Sequence, residues 1–135
     1  MCRVPTDDEY RRLAAFRSTM RRFMRFSEIA ARDAGITPAQ HQLLLAVRGW
    51  SGDGDPAIAD VTEMLQRSPH SVLELAGRAE EDGLLRRMTP EHDHRQHALR
   101  LTDRGERVLA SLTVLHRDEL DRIGDEIATL LRHLE

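Results

Sequence analysis

From about Asp8 to Asp33, apolar residues recur at three- and four-residue steps: Tyr10, Leu13, Phe16, Met20, Phe23, Met24 and Ala31. That period predicts one long amphipathic helix, closed by Gly35. Arg11, Arg21, Arg22, Arg25 and Arg32 fall on its other side and read as a solvated face. Thr37-Pro38-Ala39-Gln40 then spells a capping box with proline at the first helical position. Leu43, Leu44, Ala46 and Val47 carry that second helix to Gly49. A turn-rich loop, Trp50 to Pro56, separates it from a short helical pattern of Ile58, Val61, Met64 and Leu65.

Only Gln66-Arg67-Ser68 connects this short helix to the next, in which Ser68 suits the N-cap and Pro69 the first turn. Val72, Leu75, Ala76 and Ala79 give that helix one apolar face before Gly83. Two short helices so tightly joined predict a helix-turn-helix. After Gly83 the period changes. Leu84 to Met88 and His97 to Leu101 read as short strands around a charged tip, Thr89 to Gln96. Thr102 caps a last long helix, along which Val108, Leu109, Leu112, Leu115, Leu120, Ile123, Ile127, Leu130 and Leu134 keep to one arc. The fold class expected is mainly α: a winged helix-turn-helix over 37–101, flanked by long helices over 8–34 and 102–134, with a two-stranded β wing. With 135 residues, the chain is expected to form a single domain.

Composition narrows the function classes. A balance of 40% hydrophobic and 32% charged residues fits a folded, helix-rich, soluble chain rather than a disordered one. No apolar run is long enough for a membrane span, and no secretory signal is visible, so a cytoplasmic protein without a membrane partner is expected. Cys2 is the only cysteine, which excludes an intrachain disulfide framework. The net charge of −3 does not advertise a nucleic-acid partner. Any positive patch must be local, and it must be built from arginine, because all twenty basic residues are arginine.

A helix-turn-helix followed at once by a hairpin has a clear physical use. The second helix fits the major groove, where base edges present distinguishable patterns, and the hairpin can set an arginine against phosphates or the minor groove. The exposed face of that helix offers His70, Ser71, Leu73, Glu74 and Arg78, and the tip offers His92, Asp93, His94 and Arg95. Four segments in order resemble the MarR-type (multiple antibiotic resistance) regulators: Gly35 to Leu44, Ser68 to Leu84, Asp93-His94-Arg95-Gln96 and Leu101-Thr102-Asp103-Arg104-Gly105. Together they span about residues 10 to 135.

The resemblance implies a homodimer with intertwined first and last helices that reads a pseudo-palindrome in double-stranded DNA. It also implies a repressor released by a small-molecule effector. On this pattern Ser68, Pro69, His70, Ser71, Glu74, Arg78, Asp93 and Arg95 would face DNA, with Asp93 positioning an arginine and Arg95 reaching the minor groove. Leu13, Phe16, Met20, Leu112, Ile123, Ile127, Leu130 and Leu134 would form the dimer interface. Three features depart from the pattern: Gly77 in mid-helix, Ala57 at a helix cap, and the acidic run of Glu74, Glu80, Glu81 and Asp82. Glycine there costs about 1 kcal/mol relative to alanine.

Rival readings remain. His92, His94 and His97, interleaved with Glu91 and Asp93, carry ligand types that suit zinc, but alternating residues on a hairpin point to opposite sides. They are read as a solvated wing, and no metal or cofactor is expected. His116 is read as a satisfied interface histidine, while His41 and Trp50 could border an effector pocket. No glycine-rich phosphate loop, nucleophile elbow or defensible carboxylate pair points to an enzyme. The acidic second helix keeps open a winged-helix dimer that docks a protein partner and has lost DNA binding.

Overall fold

The Thr6 hydroxyl accepts from the Glu9 amide at 3.2 Å, and the Glu9 carboxylate accepts from the Thr6 amide at 2.6 Å. This reciprocal cap starts α1, Asp7–Asp33, in a computed structural model that describes residues 2–88 and 97–132. Gly35 ends the helix with φ +85°, a left-handed turn in which the Ile36 amide reaches the Ala31 carbonyl. The Thr37–Gln40 box forms as the sequence predicts, both bonds at 3.0 Å, and opens α2, Pro38–Arg48.

The next elements follow as α3 (Ile58–Leu65), α4 (Pro69–Glu81), β1 (Leu85–Met88), β2 (Ala98–Leu101) and α5 (Asp103–Arg132). Ala57 precedes α3 without a side-chain acceptor, but Asp60 still accepts from the Ala57 amide at 2.9 Å. Half a capping box therefore compensates for the missing Ser or Thr. The strands pair antiparallel with Leu85 opposite Leu101 and Met88 opposite Ala98. Pro56 and Ala57 add a third rung: Ala57 bridges Ala98, and the Leu99 amide donates to the Pro56 carbonyl at 2.9 Å. Arg100 grips Asp55 at 2.7 Å, tying the loop before α3 to the wing base.

Leu43 and Leu44 of α2, Val61 of α3, Val72 of α4, Leu84, Leu85 and Leu99 at the wing base and Leu112 of α5 are fully buried. Each such side chain stabilises the fold by roughly 1.5–3 kcal/mol relative to exposure. The seam of α1 is different. Its buried residues are Thr19, Ser27, Ala30 and Ala31, small side chains that let α5 approach closely. The Thr19 hydroxyl donates to Glu126 of α5 at 3.0 Å, and Arg22 reaches the same carboxylate at 3.1 Å. The larger apolar residues Tyr10, Leu13, Met20 and Met24 are left 41–60% exposed. Among the described residues, no helix is long and apolar enough to cross a membrane.

Candidate nucleic-acid interface

The turn between α3 and α4 is made by Gln66 in the left-handed region, φ 54°. Its side-chain amide donates to the Glu63 carbonyl at 2.9 Å, which holds this unusual conformation. Ser68 then accepts from the Ser71 amide at 3.1 Å, and Pro69 takes the first helical position. With Val72, Leu75, Ala76 and Ala79 buried, α4 is anchored along one side. The opposite side carries Pro69, His70, Leu73, Glu74, Arg78 and Glu81 into solvent.

Six expected DNA-facing residues thus share one helix start and one outer face: Ser68, Pro69, His70, Ser71, Glu74 and Arg78. Ser71, Glu74 and Arg78 also line a groove of about 290 Å³ against Thr37, the N-cap of α2, and Ala39 and Gln40 of that helix, together with Arg67. Arg67 was not among the residues singled out from the sequence. Its signal was available, since it is the one cation in the three-residue turn, and its guanidinium lies 3.4 Å from the Ser71 hydroxyl. His70 Nε2 sits 3.2 Å from Glu74 Oε1, both side chains being largely exposed.

The acidic run is less open than it reads. Glu80 accepts from the Arg87 backbone amide at 3.0 Å, and Asp82 accepts from the buried Gln40 amide at 2.7 Å. Asp82 also stands at the C-cap of α4, where it joins that helix to the start of α2. On the wing, Arg86 lies exposed opposite Arg100, whose charge Asp55 offsets. Asp93 and Arg95, with His92 and His94, lie outside the described residues. His97 is described, half-buried just before β2.

A second concavity of about 510 Å³ lies where α1, α2 and α5 meet. Phe23, His41, Leu45, Thr113, His116, Arg117, Leu120 and Asp121 line it, so its walls are apolar with polar groups at a few points. His116 Nδ1 is 2.6 Å from the Leu112 carbonyl, so that nitrogen carries the proton. The Ser27 hydroxyl then donates to Nε2 at 2.8 Å. His116 is therefore satisfied inside one chain, flanked by Phe23 and Phe26 edges. The His41 ring lies 4.8 Å from it, buried, with Nδ1 lacking a partner. Burial and the neighbouring His116 push the His41 imidazole below its ordinary pKa. Trp50 lines a separate, polar concavity with Arg48, Asp55 and Glu106, so only His41 of the expected pair borders this one.

Of the residues expected at a dimer interface, Leu13 and Met20 are exposed, while Phe16, Ile127 and Leu130 are half-buried. Leu112 and Ile123 are already covered within the chain, at 0% and 5% exposure. Leu134 lies outside the described residues.

This arrangement recurs in known structures. AbsC, a MarR family transcriptional regulator from Streptomyces coelicolor, superposes with TM-score 0.73 at 21% identity, over 90% of this chain and 81% of that one. The chain has the MarR-type winged-helix fold. A mutant of MarR from E. coli matches with TM-score 0.71 and 19% identity, over 98% of this chain and 96% of its own. A MepR–DNA complex from S. aureus gives 0.67 and 23%, over 89% and 82%. No family model and no curated protein matches the sequence itself. The MarR-type fold accounts for the element order through the wing and for the two long flanking helices.

Proposed function

We propose that this protein is a sequence-specific, double-stranded-DNA-binding transcriptional regulator that acts as a cytoplasmic homodimer. The observation that carries the reading is the α3–α4 unit, in which one packed side holds out an exposed face of Pro69, His70, Glu74 and Arg78, with Ser71 half-buried beside it. A helix presented in this way matches the width of the major groove. Arg67 and Arg78 supply local positive charge on a chain whose net charge is −3. Asp93 and Arg95 join the proposal on the resemblance of the wing segment. MepR, a neighbour of the same fold, has been solved as a DNA complex, which supports the reading by analogy.

In this reading the dimer forms through the exposed apolar residues of α1 and α5, so that paired helices meet a pseudo-palindromic operator. Repression is relieved when a small molecule occupies the crevice between α2 and the long helices, since a ligand there touches α2, the helix against which α3 and α4 pack. A promoter-fragment mobility shift at two salt concentrations tests the proposal. Retardation of a preferred fragment that weakens with salt is expected. Absence of both sequence preference and salt dependence would overturn it in favour of a partner-docking scaffold. The approach of the Arg87 guanidinium to Glu80 weakens that alternative, because it offsets one carboxylate of the acidic face.

A further inference from the structure

Glycine in the middle of a reading helix calls for a reason, and the structure contains one. A Cβ on Gly77 would meet Arg87 Nη2 at 2.9 Å; apart from its two chain neighbours and the helix's own backbone, nothing else among the described residues comes within 4 Å. Arg87 belongs to β1, the strand that leads into the wing. Its guanidinium crosses α4 in the space above Gly77 and donates to the Leu73 carbonyl at 3.3 Å. About two helical turns beyond Leu73, Glu80 accepts from the Arg87 backbone amide at 3.0 Å and stands 3.8 Å from Arg87 Nε. The first wing strand is thus held to the outer part of α4 at two points, Leu73 and Glu80, with Gly77 between them.

We propose that Arg87 is a positioning residue for DNA reading, seated in a slot that the absent side chain of Gly77 leaves open. It sets the angle between the wing and the reading helix. The inference rests on the DNA-binding reading above. A side chain that only stabilised the fold would not need a glycine beneath it, since alanine would make a stronger helix. The exposed Leu73 carbonyl already accepts the α-helical bond from the residue four positions on, so Arg87 adds a second, charge-assisted donor there. Wing and helix are the two parts that must meet adjacent grooves together. Their relative angle decides whether both fit one site.

A cycle of Gly77→Ala, Arg87→Met and the double variant tests this in two ways. In the free protein, with Arg87→Met as background, Gly77→Ala should raise the folding equilibrium constant about fivefold, the ordinary gain of alanine over glycine. With Arg87 present, less than half of that gain should appear, because the new methyl pushes the guanidinium off Leu73. Equal gains in both backgrounds overturn the slot. On DNA, the charge-neutral Gly77→Ala should lower affinity for the preferred duplex about tenfold, the worth of one charge-assisted hydrogen bond. Its affinity for a scrambled duplex and its salt slope should stay unchanged. A purely structural role would lower both affinities together, or neither, and either result overturns the positioning role. If the parent protein shows no duplex preference, the DNA-binding reading fails and the positioning role falls with it. The stability cycle then still reports separately whether the slot exists.

Discussion

Gly105 lies against the Leu84 backbone so closely that a Cβ there would stand 2.0 Å from the Leu84 carbonyl oxygen. The same carbonyl accepts from the Thr102 amide at 3.1 Å, and the Thr102 hydroxyl donates to Gly83 at 2.6 Å while capping Gly105. The Leu101-Thr102-x-x-Gly105 segment is therefore a joint that seats α5 on the exit of α4.

Backbone cannot rotate away as a side chain can, so Gly105→Ala should force the helix and the strand entrance apart. We expect it to destabilise by about 1–3 kcal/mol, the usual cost of overpacking. A Cβ on Gly124 of the same helix would meet nothing among the described residues within 4 Å beyond its chain neighbours and the helix's own backbone, and Gly124→Ala should stabilise by about 1 kcal/mol. Urea denaturation of the two variants measures the contrast. Equal effects would remove the steric account of the joint.

Leu112 and Leu13 should fail in different ways. Leu112 is fully buried within its own chain, so Leu112→Ala should cost about 2–5 kcal/mol at any protein concentration. Leu13 is 49% exposed on α1, and Leu13→Asp should act on assembly instead. Light scattering of the parent should give about twice the 15.4 kDa chain mass. The Leu13→Asp variant should shift toward the single-chain mass, with a melting temperature that no longer rises with concentration. A parent that scatters as a monomer would remove the paired half-sites from the proposal.

Acid should weaken the junction between α2 and the long helices. Burial and His116 hold the His41 pKa below its ordinary value of about 6.5, so the unfolded chain takes up this proton more readily than the folded one. The stability His41 contributes as a neutral ring is present above about 6.5 and is lost as pH falls from there through the lower folded value. No more than about 1.4 kcal/mol per pH unit is expected from one proton. On the faces around it stand His116, Arg117 and Asp121 of α5, while the ring of Phe23 comes from α1. Denaturation between about pH 7.5 and 5 should show a shallower slope for His41→Leu than for the parent. Superimposable slopes would show that His41 titrates normally.

What the sequence made legible was local. The Thr37–Gln40 box, Ser68 with Pro69, and the change of period after Gly83 are decided by neighbours a few residues apart, and the structure forms each of them. What it hid depends on partners far along the chain. Thr19 and Ser27 look like polar interruptions of α1, yet their partners Glu126 and His116 lie 107 and 89 residues away. Gly77 looked like a weak point because Arg87 is in another element. Asp82 looked like a free carboxylate at the end of the second helix because Gln40, its hydrogen-bond partner, is 42 residues distant. On the outer face of α4, by contrast, exposed residues have few tertiary partners, so periodicity alone set His70, Leu73, Glu74 and Arg78 outward, while Ser71, expected with them, is half-buried.

The same face carries the most discriminating prediction. His70 Nε2 and Glu74 Oε1 are 3.2 Å apart, one turn from each other on the exposed side of α4. The two residues therefore cannot be read separately: truncating His70 also frees a carboxylate to face the phosphates. His70→Ala should cost about 1–3 kcal/mol on the preferred duplex, through the lost base contact and the bared charge together. If Glu74 accepts from a cytosine amino group, Glu74→Gln should lower affinity for the preferred duplex, because a charged acceptor is replaced by a neutral one. It should raise affinity for a scrambled duplex, because a repelling charge is removed. Arg78→Ala, by comparison, should weaken binding to both duplexes and flatten the salt slope by about one phosphate per subunit. Salt titrations of the three variants on both duplexes separate these outcomes. If Glu74→Gln raises affinity on both duplexes equally, Glu74 reads no base, and the sequence preference must be assigned to His70, Ser71 and the wing.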